Sequence, residues 1–357
     1  MTLARPARGA LRGMHRLDLV RARVSSFRHS RLAPFAAHHH KNLVKPTFIC
    51  LKLSERCNSK CVHCDIWKNR REDALTTEQW LRTLDGIRRW LGPANIVLTG
   101  GEIFLRRDVM AIVRHATRIG LVCEVLSNGL LIERRHCEEL VQAQVDQVTI
   151  SLDGVRPETH RAIRRVPRMY ERIVRTVADL DEFRRRHRAR LKILLKMVVM
   201  RPNLHEVVPM ADWVRERGQA DVQFQPIEQN YAQEEDVGWF RDSDLWIRDL
   251  DGIRTVVREL IRRKRAGYPI RNTVENLESM VRYFESPERE MRRVRSHDAV
   301  GDSGTCLVGV SSMVISSNGD VRWCFQMPPA GNVREQSPRE IWEGRDECWK
   351  RPCAWRT

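Results

Sequence analysis

The sequence predicts an α/β fold, an incomplete parallel barrel of six strand–helix units followed by a small cysteine-rich β-hairpin module. Three observations lead there. From Pro46 onward short apolar runs alternate with longer amphipathic ones, and strand, helix, strand at this spacing is the pattern of a parallel sheet with helices on its outside. The distinctive polar motifs fall just after the apolar runs, where parallel α/β barrels collect their chemistry. Near the C-terminus, two alternating runs flank Asn318-Gly319, a hairpin signal.

The strand segments are Phe48 to Leu53, Asn95 to Leu98, Val122 to Leu126, Gln147 to Ser151, Lys192 to Met200 and Asp221 to Phe224. The helical stretches between them are Thr77 to Trp90, Asp108 to Ile119, Glu133 to Val141, Tyr170 to His187 and His205 to Glu216. Trp239 to about Arg295 reads as helical without obvious chemistry. The expected organisation is a basic N-terminal extension over 1–45, the partial barrel over 46–235, a helical linker over 236–300 and the cysteine-bearing module over 301–357.

The chain of 357 residues carries a formal charge of +17. Clustered cations invite a phosphate-bearing partner, but these are mostly arginines spread along helices, such as Arg82 to Arg89 and Arg184 to Arg190, which fits solvated helix faces. Composition alone does not decide for a nucleic-acid partner, because the same pattern fits helix faces around an acidic or neutral substrate site. The first 45 residues hold Arg5, Arg8, Arg12, Arg16, Arg21, Arg23, Arg28 and Arg31 against Asp18; a helical extension packed on the catalytic domain is preferred to a membrane-surface segment. His38, His39 and His40 lie in what reads as an exposed linker. No run of apolar residues is long enough to span a bilayer, and no secretory signal is readable at the N-terminus. Ten cysteines then fit a reducing cytoplasm, where close spacing favours metal binding over disulfides.

Cys57-Asn-Ser-Lys-Cys61-Val-His-Cys64 places three thiols in an excursion after the first strand. A structural zinc site wants a fourth ligand, although a zinc knuckle remains the alternative. A four-iron cluster held by three thiolates leaves one iron open, free to take the amino and carboxylate groups of a methionine moiety. With Gly100-Gly101-Glu102 after the second strand and the order of strand-end motifs through about residue 226, the chain resembles the radical S-adenosylmethionine superfamily.

That resemblance implies reductive cleavage of S-adenosylmethionine to methionine and a 5′-deoxyadenosyl radical, with a low-potential donor such as flavodoxin or ferredoxin as partner. It implies that Gly100 and Gly101 expose backbone near the methionyl ammonium, with Glu102 adding negative charge; Ile103 stands where the family often has proline. It further implies that His63 packs on adenine, that Ser127 and Asn128 bind the methionyl carboxylate, and that Ser151 or Asp153 binds a ribose hydroxyl or the substrate. A structural turn or cap is the competing role for those last four. Arg56 and Lys60 are candidates for favouring thiolate charge, against ordinary solvated loop charge.

Cys306, Cys324, Cys348 and Cys353 suffice for a second four-iron cluster, fully ligated, with zinc as the alternative. Ser317 to Asp320, Gly331 to Val333 and Ile341-Trp342 around them resemble the SPASM and shortened twitch auxiliary-cluster modules, and four cysteines imply one cluster. Cys50 and Cys123 in strands and Cys137 on a helix read as buried small hydrophobes.

An auxiliary electron acceptor favours oxidation or dehydrogenation of the substrate. The expected substrate is a small polar natural-product intermediate, a sugar, aminocyclitol or nucleoside-like molecule, because no leader-binding domain for peptides is readable ahead of the barrel. Arg161, Arg164 and Arg165 are candidate anchors, or else plain helix-surface charge. Epimerisation, decarboxylation, peptide crosslinking, RNA modification and a non-catalytic zinc module that binds nucleic acid are the competing outcomes. The sequence leaves the hydrogen donor, the base and the oligomeric state undetermined.

Overall fold

A computed structural model describes residues 32–33, 44–68, 75–229, 236, 238–288, 311–324 and 327–344. Most of the basic extension, His38 to His40, and Cys306, Cys348 and Cys353 lie outside them. The chain divides into two compact units, one built from Met1–Arg56, Arg71–Val125 and Arg292–Thr357, the other from Cys57–Arg70 and Leu126–Met291.

In the first unit, strands β1 (Phe48–Ser54), β2 (Asn95–Gly100) and β3 (Val122–Ser127, in this unit as far as Val125) pair in parallel. Buried and half-buried residues alternate along β3, as a strand with one face on a core requires. Helix α1 (Thr77–Leu91) starts at a capping box between Thr76 and Gln79, which satisfies donors that the first turn leaves open. It buries Trp80, Leu84 and Ile87, while α2 (Val109–Arg118) buries Val109, Ile112, Val113 and Ala116, both at the i, i+3, i+4 spacing of a core-facing stripe.

The Asn-Gly hairpin forms, with β7 (Ser312–Ile315) and β8 (Asp320–Arg322) antiparallel and Gly319 at φ +93°. The hairpin also does something unexpected: β7 pairs in parallel with β1, Phe48 opposite Ser312 through Leu51 opposite Ile315. β9 (Gly331–Asn332) then adds to β8. The short helix α9 (Pro338–Glu343), with Ser337 and Glu340 in a capping box and Pro338 at its start, brings Trp342 into the core. Its indole N–H donates to the Val44 carbonyl at 2.9 Å, and its ring lies 5.0 Å from Trp323 and 6.0 Å from Trp90.

The second unit holds parallel strands β4 (Gln147–Ser151), β5 (Lys192–Val199) and β6 (Asp221–Pro226). Helix α3 (Arg134–Gln142) packs on α5 (Met169–Arg186), and α6 (Val207–Arg217) follows a 3-10 turn over Arg201–Glu206. The single helix expected from Tyr170 is preceded by another, α4 (Pro157–Arg164), with Pro157 in its first turn and Arg165 in a left-handed cap at φ 56°. The stretch expected to be helical contains α7 (Leu250–Arg265) and α8 (Val274–Glu285), but after a turn at Ala266-Gly267 residues 269–272 run alongside β6. Val222 N–H donates to Pro269 O and Arg271 N–H to Val222 O, both at 2.8 Å, and the Asn272 amide bonds both the N–H and the C=O of Phe224 at 2.8 and 2.7 Å. An exposed strand edge invites foreign pairing, and this segment covers the edge of β6.

Gly100 ends β2 at φ +151°, and a Cβ there would stand 2.2 Å from the Ser54 carbonyl oxygen, a backbone atom. Gly267, at φ +82°, has open space around it. Gly100→Ala is expected to cost about 3 kcal/mol or more in urea unfolding, from close approach added to backbone strain, against about 1 kcal/mol for Gly267→Ala, where strain acts alone.

Candidate metal and cofactor site

In the second unit, the loop after Cys57 is tied to the C-terminal end of α4. Val62 N–H donates to the Ile163 carbonyl at 2.9 Å. Ser59, 1% exposed, donates through its hydroxyl to the Arg164 carbonyl at 2.9 Å and lies 3.2 Å from the Cys61 sulfur. The Arg164 guanidinium donates from Nη1 to Cys61 Sγ at 3.5 Å and from Nε to Asp153 Oδ2 at 2.5 Å. Arg164 is 7% exposed and Asp153 fully buried. Such a pair survives burial when its remaining hydrogen-bonding capacity is filled: Val198 N–H donates to Asp153 Oδ1 at 2.9 Å, and Asn203 donates to the Asp153 carbonyl at 2.9 Å. Burial by itself would raise the Asp153 carboxyl, but the Arg164 charge, with His63 and His160, holds it below its ordinary range.

Helix α4 presents this group because His160, Ile163 and Arg164 are its buried residues, one stripe at i, i+3 and i+4. The His160 Nδ1 accepts from the Asp153 backbone N–H at 3.2 Å, which leaves the ring proton on Nε2, a buried atom with no partner. Burial, reinforced by the Arg164 charge, pushes His160 down to about 4 and His63 likewise to about 4. His63 also has a buried, unpartnered Nδ1, so at neutral pH an uncharged ring stands beside Cys64.

Cys57, Cys61 and Cys64 form no disulfide. Among the described residues, no three His, Cys, Asp or Glu side chains are drawn together as a metal site. The donor set nevertheless suits an iron–sulfur cluster: three sulfur ligands on one short loop, with a buried cation at one sulfur to support its thiolate form. Burial, the larger influence, raises the Cys64 thiol.

Asn128 is brought to the same loop, its amide donating to Asn58 Oδ1 at 2.7 Å while its oxygen accepts from Leu130 N–H at 2.9 Å. Ser127 Oγ accepts from Gly129 N–H at 2.9 Å, the turn geometry open to both residues from sequence. Ser151 closes β4, half-buried. Asp153 is not presented for a ribose contact, because both carboxylate oxygens are engaged within the protein. Arg164, expected as a substrate anchor or surface charge, is neither, whereas Arg161 and Arg165 are exposed. Arg56 and Lys60 are exposed too, so the cation bonded to the loop's sulfur comes from α4. The i, i+4 pair His160 and Arg164 behind Pro157 is the one signal of this in the sequence; what it lacks is any sign that this face turns inward.

In the first unit, Gly101 N–H donates to Ser54 O and Glu102 N–H to Arg56 O, both at 2.8 Å. Glu102 is fully buried, with Oε1 accepting from Phe104 N–H at 3.0 Å. The glycines thus lay the turn flat on the end of β1. Cys50, Cys123 and Cys137 are buried, and burial pushes the Cys50 and Cys137 thiols up to about 12, as befits inert core thiols.

A family model for the radical SAM superfamily matches residues 51–214, and one for the SPASM iron-sulfur cluster-binding domain matches residues 306–353. The chain belongs to the radical SAM superfamily and carries a SPASM-type C-terminal module. Membership makes it an enzyme and sets aside the non-catalytic zinc module. It is 28% identical over 311 residues to an AdoMet-dependent heme synthase of Methanosarcina barkeri, covering 84% of this chain and 83% of that one. It is 25% identical to a pre-heme d1 synthase of Dinoroseobacter shibae over 85% of this chain and 74% of that one. A PqqA peptide cyclase of Bradyrhizobium diazoefficiens matches at 26% over 45% of this chain and 41% of its own length. Among solved structures, SuiB of Streptococcus suis bound to S-adenosylmethionine has TM-score 0.64 at 16% identity, over 84% of this chain and 65% of that one. anSMEcpe with AdoMet and a peptide has TM-score 0.58 at 18%, over 85% and 82%. These likenesses establish the partial barrel with its smaller C-terminal module. No helix among the described residues is long and apolar enough to cross a membrane.

Two outcomes are expected in solution. The neutral His160 makes folding weaker in acid: its value falls from 6.5 in the unfolded chain to about 4 in the fold, so its stabilisation is complete above pH 6.5 and drains away as pH drops toward 4. His160 contributes a slope of at most about 1.4 kcal/mol per pH unit, His63 up to as much again over the same window, and His160→Gln removes the first share in denaturant titrations. Asp153→Asn leaves Arg164 buried without its counter-charge and is expected to cost about 3 to 5 kcal/mol at pH 7, read from the same unfolding curves.

Proposed function

We propose that the chain is a radical S-adenosylmethionine oxidoreductase in which Cys57, Cys61 and Cys64 hold a [4Fe-4S] cluster with one iron left for the cofactor. Cys324, with Cys306, Cys348 and Cys353, holds an auxiliary [4Fe-4S] cluster. The observation that carries this reading is the three-thiol loop braced at Cys61 by buried Arg164 and Ser59, in a chain of this superfamily. When bound, the first cluster and S-adenosylmethionine supply a 5′-deoxyadenosyl radical, and the second cluster supplies an acceptor for one electron, which together make the net reaction a dehydrogenation or oxidative bond change.

The protein's part is to bind and orient. The Gly100-Gly101-Glu102 turn serves the methionyl ammonium by close backbone approach, with the fully buried Glu102 carboxylate holding the turn through Phe104 N–H. Asn128 and Ser127 serve the methionyl carboxylate, Ser151 a ribose hydroxyl, and His63, neutral at pH 7, packs against adenine. A low-potential flavodoxin or ferredoxin is the electron donor.

For the substrate, the two relatives that align over most of both chains are named for heme and pre-heme d1 formation, while other heme synthases and the peptide cyclase alike align over less than half of either. That favours a carboxylate-bearing tetrapyrrole, whose negative charge suits a chain of net +17. The second reading is the small polar intermediate expected from sequence, a sugar, aminocyclitol or nucleoside-like molecule, supported by the same arginine excess, which meets phosphate as readily as carboxylate.

Anaerobic purification with iron and sulfide counts tests the assignment. About eight irons are expected in the parent and about four in the Cys57→Ala/Cys61→Ala/Cys64→Ala variant or in Cys324→Ala, from two four-iron sites. Reductant and S-adenosylmethionine should give 5′-deoxyadenosine with the parent and none with the triple variant. Iron-coproporphyrin III should accelerate its formation where nucleotide sugars do not. Zinc in place of iron, or 5′-deoxyadenosine formed equally by the triple variant, would sink the reading.

A further inference from the structure

The cation that reaches the cysteine loop is held from behind with unusual completeness. Asp153 takes Nε of Arg164 at 2.5 Å, and Asp153 is itself pinned by Val198 N–H and by Asn203. Asn203 in turn accepts from Met200 N–H at 2.9 Å and donates to Val198 O at 2.8 Å. At the other end of α4, Glu206 accepts from Val155 and Arg156 N–H at 2.6 and 3.0 Å, and from the Thr159 hydroxyl. The helix is therefore fastened at both ends. Nη1 of Arg164 is left pointing at one sulfur, Cys61 Sγ, at 3.5 Å, a normal length for a bond to sulfur. Ser59 Oγ stands 3.2 Å from the same sulfur.

We propose that Arg164 is a positioning residue for the radical reaction, donating an N–H···S bond to the Cys61 thiolate and thereby making the cluster on that sulfur easier to reduce, with Ser59 tethering the loop to it. The inference rests on the assignment of Cys57, Cys61 and Cys64 as cluster ligands. Reduction adds negative charge to the cluster and its sulfurs. A donor in direct contact with a ligand sulfur stabilises that added charge, and hydrogen bonds to the sulfurs are among the levers that set the potential. Burial strengthens the effect, because little water screens it. Asp153 opposes it in sign but bonds the guanidinium rather than the sulfur, so the direct donor prevails.

The test uses the full chain, reconstituted without oxygen, as parent, Arg164→Gln, Arg164→Lys and Ser59→Ala. Iron is counted in each, and the midpoint potential of the cluster whose EPR signal responds to S-adenosylmethionine is measured by redox titration. Arg164→Gln is expected to keep its iron yet be about tenfold harder to reduce, about 59 mV lower for a one-electron couple. Arg164→Lys is expected to recover part of that shift, since it restores the charge without the fork. Ser59→Ala, which takes no donor from the sulfur because the hydroxyl proton goes to the Arg164 carbonyl, should leave the potential close to the parent's. Should Arg164→Gln fail to fold, Arg164→Met/Asp153→Asn removes both charges together and is read in its place. Full iron with an unchanged potential in the glutamine and lysine variants overturns the proposal. A parent without any cluster responsive to S-adenosylmethionine overturns the cluster assignment instead, so the two failures are told apart.

Discussion

The second unit depends on a buried ion pair. Removing Asp153 and Arg164 from water is costly, and their attraction repays it only when every remaining donor and acceptor has a partner. The ends of β4 and β5, the 3-10 turn over Arg201–Glu206, helix α4 and the cysteine loop each supply part of that set. A shift of any one of them strands a charge or a polar group inside the protein. The polar requirement therefore fixes the loop's place more tightly than apolar packing could, because packing tolerates small slides and a hydrogen-bond network does not.

The same logic explains why the loop's sulfur meets a rigid partner. Arg164 ends a helix whose first turn is clamped by Glu206 and whose last turn is tied by backbone to Val62. Long cationic side chains ordinarily lose much rotamer freedom when ordered. Here the carboxylate behind Arg164 has already imposed that order, so a ligand arriving at the loop meets a donor in place. In the first unit the corresponding device is steric: Gly100 and Gly101 have no Cβ, and the turn lies directly on the Ser54 carbonyl.

Much of the site is legible in the residues themselves. The Cys57, Cys61, Cys64 spacing and the Gly100-Gly101-Glu102 turn are local patterns, and their chemistry depends on residues close together in the chain. The six strands are legible too, since their apolar runs need no knowledge of neighbours, and so is the Asn318-Gly319 turn. Asp153 shows the boundary. Its place after β4 is evident from the chain, but whether it faces a ligand or the core depends on Arg164, eleven residues on. Charge by itself does not reveal burial: Arg161, Arg164 and Arg165 look alike in sequence, yet only the middle one is drawn inward.

Cysteine spacing, glycine turns and strand periodicity are enough to assign the class of the protein, because all three act through short-range geometry. Only the folded chain chooses which cation serves Cys61, joins the C-terminal hairpin to β1 as a parallel neighbour, and lays the residues after α7 along the edge of β6. The side-chain bonds among these span 103 and 48 residues of chain, and the hairpin reaches β1 across more than either. At such separations no local propensity selects the partner; it is selected by what must be satisfied once water is gone.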